Sequence, residues 1–76
     1  SNRIMIKPFT GIARQSIRCF IGDDLLDLHV CAKYDVMTGS LMITEVWQDF
    51  DNIYDELSDN DIDKILELFI EKEINN

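Results

Sequence analysis

Nine carboxylates lie between Met42 and Phe69: Glu45, Asp49, Asp51, Asp55, Glu56, Asp59, Asp61, Asp63 and Glu67, against Lys64 alone. Clustered oxygen ligands suggest a divalent cation first. An EF-hand loop needs ligands at its positions 1, 3, 5 and 12 and glycine at 6. A frame opened at Asp59 places Lys64 where the glycine belongs and Ile70 where the last carboxylate belongs. A frame opened at Asp49 places Ile53 at the fifth ligand position. Neither works, and no metal or cofactor is expected. Asp59, Asp61 and Asp63 are better explained as residues of a helix's first turn, where a carboxylate near free N–H groups is worth about 0.3–1 kcal/mol.

The other reactive residue types are sparse. Paired-carboxylate catalysis needs one acid in an apolar setting. Only Glu45 has a claim to one, and an open sheet edge that lets it reach water, or a hydrogen bond to Gln15, explains it as well. His29 falls on the wet face of a strand. Cys31, two residues on, is a weak sign of nucleophilic chemistry. Cys19 and Cys31 lack CxxC spacing and, with one histidine in the chain, cannot complete a four-ligand zinc site. We expect two reduced thiols, in keeping with a cytoplasmic protein. The opening residues contain neither a signal-peptide core nor a run long enough to span a membrane.

A chain of 76 residues holds one domain with a thin stability margin. A deep substrate cleft would consume much of its core, so a non-enzymatic module is expected. Residues 1–22 carry a net +4 and residues 23–76 a net −12, giving −8. Most of such a surface repels phosphate backbones, which argues against direct nucleic-acid binding.

The elements that position these groups follow from periodicity. Residues 1–11 end in "PFTG" and read as an arm or edge strand, 12–48 as a β-meander and 49–74 as a helical segment. Residues 12–21 fit a helix or a strand. We take the strand, because Gly22-Asp23 then turns directly into a clearer one. With Gly22 first in a type II′ turn, Ile17 opposes Leu28, Cys19 opposes Leu26 and Arg18 faces Asp27. Cys19 and Cys31 then lie on opposite faces, which disfavours a disulfide.

In "LLDLHVCAKYDV" the even positions are apolar and alternate with polar ones. A second turn centred on Thr38-Gly39 would set Val36 against Leu41, Tyr34 against Ile43 and Val30 against Trp47. It leaves Glu45 on the core face opposite Ala32. Past Trp47 the period becomes helical: Phe50, Ile53, Tyr54 and Leu57 predict a short helix or helical turn. Ser58 with Asp61 then caps a second helix, whose buried stripe is Ile62, Ile65, Leu66, Phe69 and Ile70. The expected fold is α+β, a three-stranded antiparallel β-meander with a C-terminal α-helix packed on one face.

"ITEVW", "IYDELSD" and "IDKILELFIEKE", within residues 41–73, resemble the tail of small uncharacterised proteins encoded by tailed phages and prophages. The resemblance implies an accessory factor of a mobile element and assigns no functional residues. Two functions are carried forward. One is a protein-interaction module that self-associates as a homodimer or meets another protein. It would use Phe20, Met42 and Val46 on the open sheet face, or a strand edge. Phe20, Leu25, Cys31, Met42 and Val46 all project to that face in these registers. The other is an acidic inhibitor that imitates nucleic acid and occupies a host enzyme's basic groove through Asp55, Glu56, Asp59, Asp63, Glu67 and Glu71.

Overall fold

Apolar residues alternating two by two, followed by a stripe at helical spacing, yield strands and then a helix. The computed structural model describes residues 10–75, in the order β1 (Thr10–Ile21), β2 (Asp24–Asp35), β3 (Ser40–Gln48), β4 (Asp51–Asn52), a 3-10 turn (Tyr54–Glu56) and α1 (Asp59–Ile74). Of the expected arm or edge strand at residues 1–11, residues 1–9 lie outside the described residues, and Thr10 and Gly11 belong to β1. The fold is α+β, with an antiparallel sheet ordered β1-β2-β3-β4 and one C-terminal helix. It has four strands, not three. Among the described residues no helix is long and apolar enough to cross a membrane.

Residues 12–21 are strand, and the first hairpin has the expected register: Ile17 pairs with Leu28, Arg18 with Asp27 and Cys19 with Leu26. Gly22 has φ +65°, and Asp23 is not in the positive-φ region, as a type II′ turn demands. The two cysteines are free and occupy opposite faces.

The second hairpin departs from expectation twice. Its loop is Val36–Gly39, so Asp35 pairs with Ser40 and Tyr34 with Leu41. The Asp35 carboxylate accepts a bond from Met37 N–H at 3.0 Å, and the Asp35 carbonyl accepts one from Gly39 N–H at 2.8 Å. An aspartate that stabilises its own turn in this way favours the longer loop. This slip of two residues preserves every face, because side chains repeat with period two.

The second departure does change faces. Ala32 pairs with Ile43 but Cys31 pairs with Glu45, so Thr44 is an extra residue on β3. Its hydroxyl donates to the Cys31 carbonyl at 3.2 Å. One inserted residue turns all that follow to the other side. Val46, expected on the open face, is fully buried opposite Val30. Glu45 and Trp47, expected on the core face, move to the open one.

The expected helix after Trp47 is also corrected. Asp49-Phe50 forms a tight turn, with Asp49 at φ +55°, and Asp51-Asn52 returns as β4. Phe50 points into solvent, while Ile53 is buried.

On the covered face, Ile65 and Phe69 of α1 are fully buried against Ile17, Leu28, Val30, Ile43 and Val46. Burying side chains of this size is worth roughly 1.5–3 kcal/mol each. Ile62, Leu66 and Leu68 flank them, whereas Ile70, assigned to the stripe, is exposed. Tyr34 shares this side but lies largely exposed among Leu41, Ile70 and Ile74. Ser58 and Asp61 form the expected reciprocal cap: Ser58 Oγ accepts from Asp61 N–H at 3.1 Å, and Asp61 Oδ2 accepts from Ser58 N–H at 3.4 Å.

The helix leans toward β1. Lys64 Nζ donates to the Phe20 carbonyl at 2.9 Å, and Lys72 Nζ donates to the Ser16 carbonyl. The eight-residue spacing on a helix rises about 12 Å. The four-residue spacing on a strand spans about 13 Å. The two repeats therefore match along the β1 edge. Gln15, the polar exception on the core face, donates to the Phe69 carbonyl at 3.4 Å and to Glu73.

Candidate functional site

The face of the sheet away from α1 is the candidate site. Each position on it follows from strand alternation. Its rows run Phe20–Leu25, Arg18–Asp27, Ser16–His29–Trp47, Arg14–Cys31–Glu45 and Ile12–Lys33–Met42. Ile12, Phe20, Leu25 and Met42 are between 52 and 59% exposed. Phe50, at the tip of the β3–β4 turn, is 95% exposed.

Phe20 and Met42 thus stand where the sequence places them. Val46 does not, because the Thr44 bulge turns it inward. Cys31 is on the expected face but buried, in the row between Arg14 and Glu45. Ile12 and Phe50 were not among the candidate residues. Alternation alone places Ile12 on this face, but Phe50 required knowledge of the turn.

A shallow depression of about 490 Å³ lies over the central row, lined by Ser16, Arg18, Asp27, His29, Trp47 and Lys72 among others. Trp47 Nε1 donates to Glu45 Oε1 at 2.8 Å, which orients the indole. Arg18 Nε donates to Asp27 Oδ1 at 2.7 Å. The hydrogen bond, and then the charge, of Arg18 hold the Asp27 carboxyl below its ordinary range, and Asp27 raises Arg18 in the same way. On the opposite face, burial pushes the Cys19 thiol up; nearby Lys64 works against that and Asp61 with it.

Ser16 stands directly across from His29, a juxtaposition already implicit in the first-hairpin register. A nucleophile activated by histidine needs a hydrogen bond between the two and a third group orienting the base. Among the described residues no hydrogen bond joins them, and Asp27 is engaged by Arg18. Glu45 bonds the indole, not Gln15. Among the described residues no three His, Cys, Asp or Glu side chains converge as metal ligands would.

The acidic residues Asp55, Glu56, Asp59, Asp63, Glu67 and Glu71 are all exposed. Both lysines of α1 are drawn to β1 carbonyls. Among the described residues the one ion pair is Arg18–Asp27, so these six carboxylates have no basic side chain against them.

No family model, curated protein or solved structure matches the chain.

Proposed function

We propose that the chain is a non-enzymatic protein-interaction module whose contact surface is the uncovered sheet face. The carrying observation is that Ile12, Phe20, Leu25 and Met42 stand more than half exposed on a face that no element of the described fold covers. They form two exposed apolar spots at opposite ends of the face, Phe20 with Leu25 and Ile12 with Met42, on either side of the row that carries Trp47, and aromatic residues are favoured in contact sites. The likeness of residues 41–73 to small phage-encoded proteins supports an accessory role in a phage or prophage.

Photo-crosslinking in host extract tests this. A crosslinker at position 25 should capture a discrete partner. Phe20→Ser should abolish capture, Glu67→Gln should preserve it, and moderate salt should leave it unchanged. A crosslinker at position 25 that captures nothing under any condition would refute the proposal.

The second reading is an acidic inhibitor that imitates nucleic acid. The carboxylates of α1 and the preceding 3-10 turn, which form no ion pair among the described residues, favour it. Its signature in the same experiment is the reverse: capture from position 67, insensitive to Phe20→Ser and lost steeply with salt.

A further inference from the structure

The two outer edges of the sheet are treated differently. Along β1, Lys64 and Lys72 occupy the Phe20 and Ser16 carbonyls, and Arg14 and Arg18 put charge on the edge, with whose outer side no strand pairs along Thr10–Gln15 among the described residues. Edge lysines are an established way to block pairing with another strand. Along β3, protection stops early. β4 pairs only with Trp47 and Gln48, Ile53 N–H donates to the Val46 carbonyl at 2.7 Å, and the Asn52 side chain accepts from Val46 N–H at 3.2 Å. Among the described residues no strand pairs with the outer side of Ser40–Glu45.

Backbone groups alternate in direction along a strand. Val46 points its N–H and C=O outward to β4. Beyond the Thr44 bulge the outward direction falls to Ile43 and Leu41. These amides and carbonyls face away from β2.

We infer that this edge pairs antiparallel with the same edge of a second copy, about a two-fold axis at Met42. Leu41 of one copy then faces Ile43 of the other in hydrogen-bonded pairs, each exchanging both N–H···O=C bonds. The two Met42 side chains meet on the open face, and Leu41 and Ile43 continue the covered one. An unpaired strand edge accepts another strand, and the absence of charge along it lets that strand come from a second copy. In a chain of net charge −8, copies repel one another over most of their surface. Val36–Thr44 is the longest stretch of the sequence without a charged residue. Lys64 and Lys72 tie α1 to the opposite edge, and of its carboxylates Glu73 is the one that lines a pocket with Leu41. The neutral edge is therefore where two copies approach at least electrostatic cost. This contact is separate from the open-face reading and does not depend on it.

Sedimentation equilibrium of the full chain, with amide hydrogen exchange, tests the inference. The protein should sediment as a dimer at high-micromolar concentration, with Leu41 and Ile43 amides protected in the dimer and exchanging freely on dilution. Met42→Glu should leave the circular dichroism unchanged, since Lys33 is its neighbour on β2. It opposes two carboxylates across the axis and should weaken the dimer by at least about tenfold. Leu41→Pro removes an outward N–H that the single copy does not use and should give a folded monomer. Phe20→Ser should leave the dimer intact. A strict monomer at high concentration overturns the inference. So does a dimer that survives Met42→Glu but dissociates with Phe20→Ser, which would place self-association on the open face instead.

Discussion

The two faces of this sheet are made from the same alternating strands, yet they have different fates. The covered face carries Ile17, Leu28, Val30, Ile43 and Val46 and is sealed by Ile65 and Phe69. The open face carries Ile12, Phe20, Leu25 and Met42, each more than half exposed, mixed with Arg14, Arg18, His29 and Lys33. A single helix seals one layer only, so stability concentrates on one side and the other is free to make contacts. Substitutions should separate the two roles.

The largest effect is expected at the covered face. Phe69→Ala leaves a cavity at the centre of the cluster and should cost about 3–5 kcal/mol in urea unfolding. A loss below about 1 kcal/mol would mean that the helix is not what holds the sheet. Next comes the cap that starts the helix. Ser58→Ala removes the acceptor for Asp61 N–H and should lower stability by about 1 kcal/mol. Smaller still is the open face: Phe20→Ser should change stability by no more than about 0.5 kcal/mol while removing partner capture. A large destabilisation there would erase the contrast between the faces.

The smallest effect concerns Arg18 and Asp27, whose pair is largely open to solvent. The Asp27 carboxyl is depressed in the folded protein. Its contribution is therefore present above the unfolded carboxyl pKa and disappears as pH falls through the lower folded value. Surface exposure keeps that contribution small. In a carboxyl-detected NMR titration, Arg18→Gln should move the Asp27 midpoint upward toward the ordinary range. An unmoved midpoint would show that the pair does not persist in solution.

Much of the covered face was legible from sequence because its causes are local. Gly22 permits the turn, and its placement sets Ile17 against Leu28. Ser58 and Asp61 announce the helix start. The site was legible only in part. Phe20 and Met42 follow from alternation, but Val46 does not, because nothing in "LMITEVW" marks Thr44 as an extra residue. The helical spacing of Phe50, Ile53, Tyr54 and Leu57 was genuine in the sequence. Pairing with β3 nevertheless took Asp51 and Asn52 into a strand and left Phe50 in water.

By itself the sequence determined the first hairpin, the capped helix and which strand residues alternate toward a core, since each depends on neighbours a few positions away. Only the tertiary structure decided the bulge at Thr44, the face of Glu45, Val46 and Trp47, and the locking of one sheet edge by Lys64 and Lys72. Those outcomes depend on contacts between distant segments, where one extra residue in a strand reverses the side on which everything after it lies.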